Sequence, residues 1–238
     1  MANFPFQRLQ TDLAKLIAST PAGSRLISEP ELAKQMGVSR ATLREAMRTF
    51  ETQGLIRRRQ GSGTYVVGKF QVIDAGLEVL ESLETMAQRM NLEITVSDLH
   101  VDQVDADEKT AKGLGVAVGT KLTRVQRVMR ADSRPVAYLI DSVSENFLKP
   151  ADLPEKFRGS ILDFLLGTGR DLQISRANIS ATNATADVAK ALEIQRDDVL
   201  LRFVSQLYDS KGHVVDYSES YFIPGYFHFH VNRRVGTG

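Results

Sequence analysis

The stretch from Ser28 to Gln53 constrains the fold more than any other. Ser28 and Glu31 have the S-x-x-E spacing of a capping box, and Pro30 falls in the first helical turn, where a missing N–H is tolerated. Leu32, Ala33 and Met36 form the apolar side of a short helix that ends at Gly37. After Gly37, Val38 and Ser39 a second helix begins, SRATLREAMRTFETQ, with Ser39 as its N-cap. Leu43, Ala46, Met47 and Phe50 stand at i, i+3, i+4 and i+7 and are expected in the core. Arg40, Arg44 and Arg48 recur every four residues on another side, with Thr42 near the N-terminal turn. Two helices joined by so short a Gly-containing turn form a helix-turn-helix, whose second helix presents its N-terminal side chains to the DNA major groove. An arginine row alone is more often a solvated helix face, so its neighbours decide.

Those neighbours are GLIRRRQGSGTYVV. Gly54 suits the end of the helix, Leu55 and Ile56 begin a strand, Gly61 to Gly63 turn, and Thr64 to Val67 form a second strand. A hairpin after a helix-turn-helix is the layout of a winged helix. A P-loop would require G-x-x-x-x-G-K-[ST] leading into a helix, whereas GSGTYVV leads into a strand. Upstream, Phe6, Leu9, Leu13, Leu16 and Ile17 mark an amphipathic helix that stops near Ser19. Residues 1–68 carry ten Lys/Arg and five Asp/Glu, a net of +5, while the remainder carries 20 and 24, a net of −4. That asymmetry points the front of the chain at a polyanion. With no cysteine among 238 residues, disulfides and cysteine-ligated zinc are excluded, in keeping with a reducing, cytoplasmic setting. No apolar run approaches the roughly 20 residues of a membrane helix, so a soluble chain without a membrane partner is expected.

The remaining residues predict an α+β domain. A linker over 69–76 precedes a helix from Leu77 to Met90, after which strands alternate with short helices. KLTRVQRVMRADSRPVAYLIDSVS predicts a hairpin turning at Asp132–Pro135, and VLLRFVSQLYDSKGHVVDYSESYFI a second turning at Ser210–Gly212. Long antiparallel hairpins with interspersed helices argue for a mainly antiparallel sheet. His228 and His230 share one strand face, but two histidines without a further ligand in sequence do not define a metal site. No Ser-His-Asp order or paired-carboxylate spacing marks a catalytic centre, and nothing calls for a cofactor.

The run LISEPELAKQMGVSRATLREAMRTFETQGLIRRRQGSGTYVV resembles the winged helix-turn-helix of the GntR family of bacterial transcription regulators. The resemblance implies that Arg40 and Arg44 face DNA, with Ser39 and Thr42 beside them on phosphate or base edges. It also implies that Gly61 and Gly63 let the wing approach the minor groove, while Arg58 and its neighbours supply phosphate contacts. The family usually has an arginine where this chain has Pro30, which leaves Arg25 or Arg58 as substitutes.

From Leu77 to Val235 the element order is similar to the UTRA effector-binding domain of the HutC subfamily, a fold shared with chorismate lyase. Domains of 1–68 and 77–238 follow, the second carrying effector and dimer contacts. The all-helical effector domain of the FadR-like subfamily does not accommodate the C-terminal hairpin. By the same resemblance Arg127, Tyr138, Ser160 and Glu219 line an effector site suited to an anionic metabolite, although Met129 and Leu139 replace an arginine and a glutamate common in relatives. The implied function is a homodimeric repressor released from a palindromic double-stranded operator by a small molecule, and not an enzyme. The alternative is a chorismate-lyase-like activity tethered to DNA.

Overall fold

The computed structural model describes residues 4–21, 23–59, 62–67, 73–155, 157 and 159–233. It divides into two compact units, Met1–Val72 with Pro224–Tyr226, and Ile73–Ile223 with Phe227–Gly238. No described helix is long and apolar enough to cross a membrane.

In the first unit α1 (Phe4–Ser19), α2 (Glu29–Gln35) and α3 (Arg40–Thr52) precede a hairpin of β1 (Ile56–Arg59) and β2 (Gly63–Val66). The Ser28/Glu31 capping box forms, and the Ser39 side chain accepts from the Thr42 N–H. Between α2 and α3 the chain reverses through Gly37, whose φ of +67° lies in the left-handed region that favours glycine. The predicted core assembles: Leu9, Leu13 and Ile17 of α1 meet Leu32 and Ala33 of α2, Leu43, Ala46, Met47 and Phe50 of α3, and Ile56 and Val66 of the hairpin. Burying one such leucine contributes roughly 1.5–3 kcal/mol, against about 1 kcal/mol for an N-cap. The core therefore stabilises the unit, and the caps set where its helices begin.

The second unit opens with β3 (Ile73–Gly76) and α4 (Leu83–Arg89), followed by β4 (Ile94–Asp105), α5 (Glu108–Leu114), β5 (Lys121–Ala131) and β6 (Arg134–Ser144). Then come α6 (Ile161–Gly167), β7 (Leu172–Asn183), α7 (Ala186–Ala191), β8 (Val199–Asp209), β9 (Val214–Phe222) and β10 (Phe227–His230). Six strands make one antiparallel sheet in the order β4-β5-β6-β9-β8-β7. The β5–β6 hairpin turns where predicted, with Asp132 and Ser133 both at positive φ, 48° and 63°, as a two-residue turn between twisted strands demands. Helix α6 packs Ile161 and Leu165 with Val125, Val143 and Leu207 on one sheet face, whereas α5 packs Ala111 and Leu114 with Leu122 and Tyr217 on the other.

Two expectations fail here. The helix predicted from Leu77 begins only at Leu83, because Ser82 adopts extended backbone and caps it by accepting from the Thr85 N–H. Leu77 and Leu80, whose spacing with Leu83 suggested a buried stripe, are exposed. Of the predicted linker, residues 69–72 lie outside the described residues, while Ile73–Gly76 form β3 and pair in parallel with β10.

Candidate functional site

In the first unit the predicted DNA-facing residues separate into two groups. Arg40 is exposed at the start of α3 and has no ion-pair partner among the described residues. Beside it the Ser39 and Thr42 hydroxyls lie 2.8 Å apart, with Ser39 Oγ also 3.1 Å from the Thr42 nitrogen. A helix N-terminus set this way, with a cation next to it, suits phosphate or a base edge. Arg44 is also exposed, but its Nε lies 2.6 Å from Glu29 Oε2 of α2.

Arg58 corrects the sequence reading. Strand alternation gives it the side of the hairpin that also holds Ile56, with Thr64 opposite it and Val66 beyond, all three apolar or hydroxyl partners being buried. Its Nε lies 3.4 Å from Glu51 Oε2 and 3.7 Å from Glu29 Oε1, and its Nη2 donates to the Arg44 carbonyl at 3.2 Å. Arg58 therefore ties the wing to α3, and among the described wing side chains the exposed cation is Arg57, one residue earlier. The signal was present in the alternation from Ile56. Arg25, the other candidate to substitute for the arginine missing at Pro30, is exposed and pairs as an isolated bridge with Tyr65. Its guanidinium lies where a Cβ at Gly63 would be, and Gly63 has φ of +115°, so the glycine is what admits that cation to the wing. Gly61 lies outside the described residues.

The second unit contains a cavity of about 710 Å³ between one face of the sheet and α4 and α6. Its polar floor comes from alternate strand residues: Arg127 of β5, Asp141 of β6, and Asp216, Ser218 and Ser220 of β9, with Ser205 of β8. Phe203, Phe222 and Phe229 supply part of an apolar wall. Above them Ser82, which opens α4, donates at 2.6 Å to Asp163 in the first turn of α6.

Of the four residues assigned to this site, Arg127 and Ser160 line it, and Tyr138 and Glu219 do not. Register accounts for the difference. Ile140 faces Glu219, and Tyr138 faces Tyr221, whereas Leu139 pairs with Ser220 and Asp141 with Ser218. With a side-chain period of two, Tyr138 and Glu219 belong to the opposite sheet face. There Lys109 of α5 and Arg202 of β8 both hydrogen-bond Glu219. Burial pushes the Glu219 carboxyl up, but those two cations bring it below the usual carboxylate range. The residues the sequence reading missed are Ser218 and Ser220, small hydroxyl residues alternating with Tyr217, Glu219 and Tyr221.

The cavity's charge also departs from the expected anion site. Arg127 is 4% exposed, donates to Asp141 through Nη1, and has its Nε 3.7 Å from Glu84 Oε1. Burial opposes the Arg127 cation, and the carboxylates of Asp141 and Glu84 offset it. Burial pushes the Asp216 carboxyl well above its ordinary range, the neighbouring Asp141 adds to this, and Arg127 only partly opposes it. Asp216 Oδ1 is buried without a hydrogen-bond partner among the described residues. Glu84 is likewise raised by burial against the pull of Arg127. The Ser160 hydroxyl is engaged in capping α6, accepting from the Asp163 N–H at 3.1 Å. Among the described lining residues, Arg127 is the only basic side chain, against the acidic side chains of Glu78, Glu81, Asp141 and Asp216.

A winged helix with an exposed arginine at its recognition helix, joined in one chain to a cavity-bearing antiparallel sheet, defines a ligand-responsive DNA-binding regulator. The chain belongs to the gntR family of bacterial regulatory proteins, whose model matches residues 6–66, and it carries a UTRA domain over residues 89–228. It is 28% identical over 198 residues to the HTH-type transcriptional repressor NagR of Bacillus subtilis (strain 168), covering 82% of this chain and 79% of that one. It is 25% identical over 205 residues to the mannosyl-D-glycerate transport/metabolism system repressor MngR of Escherichia coli (strain K12), covering 84% and 82%. The fold matches the crystal structure of PhnF from Mycobacterium smegmatis with a TM-score of 0.65 at 20% identity, covering 96% of this chain and 100% of the other. These relatives are regulators, and the tethered-enzyme alternative draws no support from them.

Proposed function

We propose that the protein is a cytoplasmic repressor that binds a two-fold symmetric operator as a homodimer and leaves it when a small molecule enters the sheet cavity. The carrying observation is the pairing, in one chain, of the exposed Arg40 at the capped N-terminus of α3 with the cavity of about 710 Å³. Symmetric half-sites call for a symmetric protein. The ligand can release DNA only by binding the two arrangements of the dimer with different affinity.

The effector is a hydroxyl- or amine-bearing molecule without net negative charge. The name of MngR ties that relative to mannosyl-D-glycerate, which combines many hydroxyls with a carboxylate. The serines here suit the hydroxyls, while the paired Arg127 and the surrounding carboxylates disfavour an added anion. The experiment is a thermal-shift screen of polyols, amines, carboxylates and sugar phosphates, followed by gel shift of each binder on operator DNA. A hydroxyl- or amine-bearing compound that both stabilises the chain and releases DNA is expected. A phosphate ester doing so removes the charge assignment, and a chain that no compound stabilises removes the sensor.

A further inference from the structure

Strand β10 reads Phe227-His228-Phe229-His230, and alternation sends its two residue types to opposite faces. The phenylalanines enter an aromatic cluster: Phe229 lies 4.7 Å from Phe203 and 5.0 Å from Phe222, and Phe227 lies 4.9 Å from Phe222, centroid to centroid. The histidines are thereby held outward on an anchored strand. Parallel pairing with β3 sets His228 opposite Asp74. Asp74 Oδ1 lies 2.9 Å from His228 Nδ1 and 3.1 Å from His230 Nδ1, and the three ligand atoms fall within 4.8 Å of one another.

We infer that Asp74, His228 and His230 form a binding site for a late first-row divalent cation of the zinc, cobalt or nickel class, outside the effector cavity and independent of what that cavity binds. Two imidazoles and a carboxylate are the donor set such ions favour, and magnesium or calcium would call for more oxygen. Around a tetrahedral ion held at about 2.0–2.2 Å, ligand atoms lie roughly 3.3 Å apart, close to the separations found here. Both histidines would ligate through Nδ1. A second carboxylate borders the site: the Nε2 edge of His230 and the Glu78 side chain both approach Gly76. Glu78 is itself held by the Asn232 backbone N–H. An imidazole that ligates through one nitrogen and turns the other toward a carboxylate is the usual way a protein orients its metal ligands. The ion would join β3 to β10, a pair of only four register positions that also supplies Gly76 and Phe229 to the cavity wall.

The test uses the full chain without an affinity tag, dialysed against Co²⁺ or Zn²⁺. One ion per chain is expected, with the visible absorption of tetrahedral Co²⁺. His228→Ala/His230→Ala and His228→Gln/His230→Gln should each weaken binding at least about 100-fold, and Glu78→Gln about 10-fold, with metal-free melting unchanged in at least one double variant. Wild-type chain that takes up no ion at micromolar concentrations, or binding that survives loss of both histidines, overturns the site and leaves the three residues as a hydrogen-bonded cluster.

Discussion

The recognition helix and the cavity floor both place arginine beside carboxylate, and they do so with opposite consequences. At α3 Arg44 is 54% exposed while its partner Glu29 is 19% exposed and also faces Arg58, so water reaches the cation side of the pair. Such pairs contribute about 0–1 kcal/mol, so a phosphate can take the carboxylate's place at little cost. In the sheet Arg127 is buried among Asp141, Glu84 and Asp216, and losing one member of such a cluster costs about 3–5 kcal/mol. The same residue type is exchangeable in one region and structural in the other. Burial decides which, and arginine count does not.

The largest break of that comparison is Arg127→Met, which should destabilise the folded chain by about 3–5 kcal/mol, measured by urea denaturation. Adding Asp141→Asn should recover part of the loss. Arg40→Ala should leave stability within about 0.5 kcal/mol while lowering operator affinity by about 1–3 kcal/mol and the salt slope of binding by about one unit. Wild-type affinity in a gel shift would remove Arg40 from the interface.

Asp216→Asn sharpens the comparison through pH. Because the folded-state carboxyl is held above its unfolded value, the folded chain keeps a proton that the unfolded chain releases. That stability is full below the ordinary carboxylate range and is lost as pH rises through the raised value. Melting temperature against pH should therefore fall more steeply for wild type than for the Asn variant. Equal slopes would show an Asp216 that ionises normally. The smallest effect belongs to Glu219→Gln: on the far sheet face, it should leave effector affinity within about twofold, whereas Ser218→Val, in the cavity, should weaken it by roughly tenfold, the loss of one hydrogen bond or so.

Much of this was legible in the chain because local chemistry agreed with the final packing. The capping residues Ser28 and Ser39 and the apolar stripe of Leu43, Met47 and Phe50 located α2 and α3 before any tertiary contact was known. Strand alternation was equally visible, but not the face that would hold the cavity, since that depends on which helices cover the sheet. Hence the sequence reading takes Glu219, one residue from Ser218 and Ser220, and Tyr138, one residue from Leu139, in place of the side chains that line the cavity. The early start for α4 arose from the leucine spacing at positions 77, 80 and 83, which Ser82 overrode by capping. Strand β3 was hidden for a different reason. Its four residues carry little strand signal of their own, and the partner that makes them a strand lies far along the chain.

That separation bears on how the molecule comes to exist. Asp74 and its partner His228 are 154 residues apart in sequence, so β3 leaves the ribosome long before β10 is made, at roughly 5–20 residues per second. Most of α1 to β2 can assemble from local contacts while the sheet unit is still being synthesised. The last strand then completes the pair that the first strand of its unit began. A chain ended ahead of Phe227 would leave β3 unpaired and take Phe227 and Phe229 from the aromatic cluster, and such a fragment would be a target for proteolysis while its DNA-binding unit was already folded.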